Sequence, residues 1–293
     1  MSSLLPAEIG LGFRFQHASM VLQNKPKTPW FEVIADDLLL SSGRQQVIEK
    51  LRKDYPIALH AVGLNIAGPA ALDTEYLQAL SGVYQQTEAA WLSDHLCWSA
   101  TDKRQHFDLL PFAFTQGMLD YLAPRIDQVQ NSINRPLVLE NISYYQRFKE
   151  DEMSEWDFTA ELIRRTGCQM LLDLNNIWTN ASNFDREPLN ELTQLISVIQ
   201  AKDIAQIHVA GSTYHSTNDS FTGTENNSDV NGYWIDTHGE PVTEGVCDLL
   251  KATYVAYGPI PTVIERDNNI PSFNELERER QQLVSLMNEE EKS

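Results

Sequence analysis

The 293-residue chain is 42% hydrophobic and 22% charged, with a formal net charge of −19; that is the composition of a globular protein and the length of one large α/β domain. So acidic a balance repels nucleic acid unless a basic groove is set apart, and no Lys/Arg cluster is longer than Lys103-Arg104 or Arg164-Arg165. No apolar run reaches about 18 residues, so no membrane span is expected. The start MSSLLPAEIG lacks the basic-then-apolar pattern of a signal peptide, and Cys97, Cys168 and Cys247 show no CxxC spacing, so a reducing cytoplasm is the expected compartment.

In chain order, Gly10–Phe13 reads as a first strand closed by Arg14, and Trp30–Ile34 as a second strand carrying Glu32. A helical stretch follows over Leu38–Lys53, ended by Tyr55-Pro56. Ile57–His60 is the third strand, Val62–Pro69 a loop, Thr74–Thr87 a helix and Trp91–His95 the fourth strand. Leu96–Leu110 reads as an extended loop and Phe114–Ser132 as a helix with Leu119, Leu122, Ile126 and Val129 on one face. Leu137–Glu140 is the fifth strand, Trp156–Thr166 a helix stopped by Gly167, and Met170–Leu174 the sixth strand. Pro188–Ala201 is a helix and Ile204–Ala210 the seventh strand. Gly211–Tyr233 is polar and reads as a long loop, over 211–235 at its widest, of the kind used as a lid or docking flap. Val242–Tyr257 is a helix, Thr262–Glu265 the eighth strand and Ser272–Glu290 a charged final helix. Strict alternation over this length predicts one domain, 1–293, folded as a (β/α)8 TIM barrel, and the lack of a Gly-x-Gly-x-x-Gly or Walker loop weakens a nucleotide-binding sheet.

Six of the strands are short apolar runs that end in His60, His95, Glu140, Asp173, His208 or Glu265. On a barrel the C-terminal strand ends share one mouth, so these residues are expected to converge. Asn176 adds an oxygen donor beyond Asp173, and Asp236-Thr237-His238 follows the seventh strand. A single histidine at a strand end is ordinarily a hydrogen-bonded core residue. Six such ends together read as a metal site, and four carboxylates in one place call for two or three divalent ions. Glu32 pairs with Arg14 or with a substrate amine in this reading, which makes both candidate substrate contacts. His17, His106 and His215 lie in polar stretches and read as solvated, and Cys97 reads as a small buried residue.

The order His, His, Glu, Asp, His, Asp-x-His, Glu resembles the trinuclear zinc site of endonuclease-IV-type barrels in the xylose-isomerase-like group, with Asn176 where those barrels have His. A fuller resemblance is carried by GLGFR (10–14), LHAVGLNIAG (59–68), LSDHLCWS (92–99), LENIS (139–143), LLDLNN (171–176), IHVAG (207–211), DTHGEPV (236–242) and IERDNNIP (264–271). These motifs, in order over nearly the whole chain, are similar to the DUF692 family, the multinuclear non-heme iron-dependent oxidative enzymes of methanobactin-biosynthesis-like pathways. That resemblance implies two or three irons, O2 as co-substrate, and modification of a side chain, commonly cysteine, in a ribosomally made precursor peptide with a leader. It also implies a separate partner protein that presents the peptide. By analogy His60 and His95 hold one ion, Glu140 bridges it to a second held by Asp173, His208 and Glu265, and Asn176, Asp236 and His238 hold the third. The rival expectations are a trinuclear zinc phosphoesterase and an inactive barrel that binds peptide.

Overall fold

A computed structural model describes residues 5–101, 104–216 and 232–289, with the side chains of 105 and 107 excepted. Its elements are β1 (Ile9–Phe13), α1 (Ala18–Asn24), β2 (Phe31–Ile34), α2 (Ala35–Leu39), α3 (Ser42–Leu51), β3 (Ile57–His60), α4 (Thr74–Thr87), β4 (Leu92–His95), β5 (Trp98–Thr101) and β6 (Arg104–Leu110). They continue as α5 (Gln116–Ile133), β7 (Val138–Glu140), α6 (Glu155–Thr166), β8 (Gln169–Asp173), α7 (Leu174–Asn183), α8 (Pro188–Val198), β9 (Ile204–Val209), β10 (Gly211–Ser216), β11 (Gly232–Glu240), α9 (Glu244–Tyr257), β12 (Thr262–Ile264) and α10 (Phe273–Glu289). Strands β1, β2, β3, β4, β7, β8, β9 and β12 pair in parallel into a closed barrel. The expected (β/α)8 architecture is therefore the one observed. No helix among the described residues is long and apolar enough to cross a membrane.

The strands are short and buried on both faces, as parallel strands wrapped by helices must be. Their outward residues join the helix-packed core, while Leu5, Trp30, Ala58, Trp91, Val138, Leu171 and Val263 form a separate apolar cluster inside the barrel. Side chains two residues apart on a strand share a face. Ala58 therefore sits beneath His60, Val138 beneath Glu140, Leu171 beneath Asp173 and Val263 beneath Glu265. The sequence of each strand thus encodes an apolar floor followed by a polar mouth.

Capping explains where several helices begin. Asp73, Thr115, Ser154 and Thr243 accept backbone N–H groups at the starts of α4, α5, α6 and α9. Gly167 closes α6 at φ 69°, a conformation that needs glycine's freedom.

Four expectations are corrected. The helix expected over Leu38–Lys53 is two, because extended Ser41 caps α3 by accepting from Gly43 N. The sixth strand ends at Asp173, whose Oδ1 accepts from Asn176 N at 2.6 Å and so starts α7 at Leu174. The loop expected at Leu96–Leu110 contains the antiparallel pair β5–β6. The long loop expected over Gly211–Tyr233 begins and ends in the antiparallel ribbon β10–β11; its centre, 217–231, lies outside the described residues, and with it the lid expected there. Helix α1 has no counterpart among the expected elements.

Candidate metal centre

The strand ends do converge. His60 Nε2, His95 Nε2 and Glu140 Oε2 form a triangle with edges of 3.4, 3.5 and 3.5 Å. Donors bound about 2.1 Å from one ion in a tetrahedral shell stand about 3.4 Å apart, so this spacing fits a shared cation. His60 is oriented from below: its Nδ1 lies 2.9 Å from Ser93 Oγ, whose hydroxyl already donates to Leu59 O. Ser93 must therefore accept from Nδ1–H, which leaves the Nε2 lone pair facing the triangle.

A second group is built around His208. Its Nδ1 lies 2.9 Å from Glu265 Oε2, 3.4 Å from Glu140 Oε1 and 3.9 Å from Asp173 Oδ2. Asp173 and His208 are register partners on β8 and β9, and His208 is level with Val263 on β12. All four residues are buried.

The third group hangs on the ribbon. His238 Nε2 lies 2.7 Å from Asp236 Oδ1 and 3.9 Å from Asp173 Oδ2. Its other nitrogen, Nδ1, faces Asp267 Oδ2 and Glu265 Oε2, each at 3.2 Å. His238 holds φ at 47°, a strained value for a non-glycine residue that fixes where the ring points. Asn176 Nδ2 donates to Asn141 O at 2.9 Å, while its Oδ1 is buried without a hydrogen-bond partner. Asn175 Nδ2 donates to Asp236 Oδ1 at 2.6 Å and holds that carboxylate.

Several of the converging atoms lack hydrogen bonds. Glu140 Oε2, Asp173 Oδ2, Asn176 Oδ1, His208 Nδ1 and His238 Nε2 are buried and have no hydrogen-bond partner. Burying such atoms unpaired costs about 1–3 kcal/mol each. Among the described residues there are three overlapping groups of potential ligands: His60/His95/Glu140, Glu140/Asp173/His208/Glu265, and His238/Glu265/Asp267. Within each group the potential ligand atoms lie within 4.8 Å of one another, close enough to share a cation.

The electrostatics point the same way. Burial opposes charge on His208, yet Glu32, Glu265 and Glu140 hold its imidazole well above the ordinary value. Burial likewise opposes His95, but Glu140 and Asp94 raise it to about 9. Against its own burial, Glu140 is held down to about 2 by His208 and His95. Asp173 is pushed well up by burial, Glu140 and Asp236. Without cations, the cluster retains protons to balance its own negative charge.

The two expected substrate contacts are committed elsewhere. Glu32 is buried and accepts from Gln206 Nε2, and its Oε2 lies 3.0 Å from His208 Nε2. Arg14 pairs with Asp267 and donates from Nε to Arg266 O at 3.0 Å, with Glu265 Oε1 at 3.8 Å. Neither pairs with the other: Glu32 orients a candidate ligand, and Arg14 pins Asp267 behind His238. His17, expected in solvent, is buried with Nε2 2.9 Å from Pro271 O. Cys97 is buried as expected. Asn141 escapes a reading of the sequence: it exchanges two hydrogen bonds with the Asp173 backbone and receives Asn176. Its one signal is its place directly after Glu140.

Beside Asp236 opens a cavity of about 920 Å³, lined by Val62, Asp108, Tyr145, Phe184, Tyr233 and Ile235 among others. It has the size of a small-ligand or side-chain pocket.

A UPF0276 protein of Acaryochloris marina is 36% identical over 273 residues, 93% of this chain and 92% of the relative. Another from Anaeromyxobacter is 37% identical over 278 residues, 94% and 92% of the two chains. Among solved structures, endonuclease IV from Thermus thermophilus superposes with a TM-score of 0.60 at 13% identity, covering 96% of this chain and 99% of that one. D-Psicose 3-epimerase from Clostridium cellulolyticum gives 0.59 at 10% identity, covering 96% and 98%. Those two likenesses are of fold alone, that of a TIM barrel. The family described as RiPP precursor modification enzyme MbnB/TglH/ChrH, which acts on ribosomally made peptide precursors, matches residues 8–288, and the chain belongs to it.

Proposed function

We propose that the chain is a multinuclear iron enzyme that uses O2 to modify a side chain, a cysteine, of a ribosomally made precursor peptide. The observation that carries this reading is the set of buried, hydrogen-bond-free donor atoms converging at the barrel mouth of a peptide-modifying family. His60, His95 and Glu140 would hold one ion, and Glu140, Asp173, His208 and Glu265 a second. Asp236, His238 and Asn176, with Asp173 between, would hold a third. Iron bound there would supply the one-electron and O2 chemistry that closed-shell zinc lacks.

The chain's own residues do the rest. Ser93, Glu32 and Asp267 fix which nitrogen of His60, His208 and His238 faces inward. Tyr145, Phe184, Tyr233 and Val62 give the adjoining cavity apolar surface against which a peptide side chain would pack. In this reading the leader peptide is presented by a separate partner protein and the reaction takes place in the cytoplasm.

The test is aerobic incubation of the iron-loaded chain with cysteine-containing precursor peptides. An O2-dependent mass change at the cysteine is expected. The same change with the zinc-loaded chain, or none with iron across precursors that the relatives modify, would refute the reading.

A further inference from the structure

The apolar floor of the barrel is interrupted by two polar side chains. Glu32 stands in register with Ala58, and Gln206 with Leu171, both members of the floor cluster. Their exposures are 1% and 0%. A buried carboxylate and a buried amide are costly unless their hydrogen bonds serve some purpose.

These bonds run in one chemical direction. The indole Nε1–H of Trp91 can only donate, and it donates to Gln206 Oε1 at 2.6 Å. That contact settles which way the amide faces, so its NH2 group points at Glu32 and donates to Oε2. The same carboxylate oxygen lies 3.0 Å from His208 Nε2. A carboxylate oxygen fed by an amide N–H is met by a second N–H, so Nε2 carries the ring proton. When a cation displaces the second ring proton, the lone pair of Nδ1 is then the one facing Glu140, Asp173 and Glu265. Glu32 Oε1 has no partner among the described residues, so the two donors on Oε2 are what hold the carboxylate in place.

We propose that Trp91, Gln206 and Glu32 form a positioning relay that sets His208 as an Nδ1 donor, so that an indole in the barrel floor controls how tightly the ion beside Glu140 is held. The proposal rests on the metal reading above and goes beyond it. Without the indole N–H, the amide of Gln206 is free to turn its oxygen toward Glu32. Two acceptors then face each other, and the carboxylate moves off the imidazole.

The test is anaerobic titration of the metal-free full chain with Fe2+, in competition with a chelator of known affinity, and in parallel with Co2+, whose visible absorption reports its ligands. Wild type is compared with Trp91→Phe, Glu32→Gln and the double variant. Glu32→Gln is expected to weaken one ion about 10–100-fold, the usual cost of losing a group that orients a ligand. Trp91→Phe is expected to weaken the same ion by a smaller factor and to shift the same Co2+ band. The double variant is expected to bind no more weakly than Glu32→Gln, because both changes cut one relay. A merely structural tryptophan would lower the melting temperature and leave affinity and spectrum alone. Wild-type affinity in Trp91→Phe, or losses that multiply in the double variant, would overturn the relay. If Glu32→Gln does not fold, Trp91→Phe decides alone. If the wild-type chain itself binds neither ion, the metal reading falls and takes the relay with it; if wild type binds and the variants match it, only the relay falls.

Discussion

Glu140 is the residue on which two ligand groups meet: Oε2 faces the paired histidines His60 and His95, and Oε1 faces His208. Glu140→Gln keeps the shape and removes the charge. It is expected to lower metal content by at least one ion and turnover more than about 10-fold, while the far-ultraviolet circular dichroism spectrum stays that of the folded barrel. Unchanged metal content would remove Glu140 from the centre. The titrating groups give a second expectation for the metal-free chain. His95 is raised from 6.5 to about 9, so its stabilising contribution is complete below 6.5 and fades as pH rises through 9. Glu140 is depressed from 4.5 to about 2, so its contribution is complete above 4.5 and is lost only as pH falls through 2. The metal-free chain is therefore expected to resist denaturant better at pH 6 than at pH 9, read as the midpoint of chemical unfolding. Since a ligating imidazole must be deprotonated, metal affinity runs the other way and strengthens over the same interval. A midpoint that rises from pH 6 to pH 9 in the metal-free protein would contradict these assignments. At this scale the six strand-end candidates, His60, His95, Glu140, Asp173, His208 and Glu265, are legible in the sequence, because each closes a short buried strand on its inward phase. The roles of Glu32, Gln206 and Asp267 are not, because they depend on partners such as His208 and His238 that are brought near only when the barrel closes.

At the scale of elements, the ribbon β10–β11 matters because it carries Asp236 and His238 to the mouth. Asn183, at the end of α7, pins it: Nδ2 donates to Trp234 O and Oδ1 accepts from Trp234 N, both at 2.8 Å. Trp234 also packs edge-on against Trp178 of α7, with ring centroids 4.8 Å apart. Asn183→Ala removes both hydrogen bonds to Trp234, a cost of about 1–3 kcal/mol if the Trp234 groups stay unpaired. It is expected to release one ion to a chelator faster than wild type while leaving the remaining ions as tightly held. Equal acceleration for every ion would show that the ribbon does not carry a separate site. The ribbon is hidden in the sequence because its strands are mostly half-exposed and rich in polar residues, so they lack the apolar run that marks the barrel strands. Helix α7 is hidden for a related reason. Its opening Leu-Asn-Asn is a poor helix former, and the element is started by Asp173, a residue whose place at a strand end signals a ligand and not a cap. Barrel strands and amphipathic helices are legible because burial imposes their period, whereas caps and surface ribbons depend on single contacts.

At the scale of the whole molecule, a chain with a formal charge of −19 gathers Glu140, Asp173, Asp236, Glu265 and Asp267 around one mouth. Protons on His95, His208 and Asp173 offset part of that charge when no cation is bound. Divalent ions would offset it more fully, and would add stability in proportion to their binding to the folded state. The fold class follows from β-α alternation and the family from motifs spread along the chain, so both are legible in the order of the amino acids. The identity of the metal is not, since imidazole and carboxylate ligands suit zinc, iron and manganese alike. The most direct measurement is therefore metal analysis of the chain purified without oxygen or chelators from cells supplied with both iron and zinc. About two or three iron atoms per chain are expected; zinc in their place, or fewer than about one metal ion of any kind per chain, would overturn the iron reading.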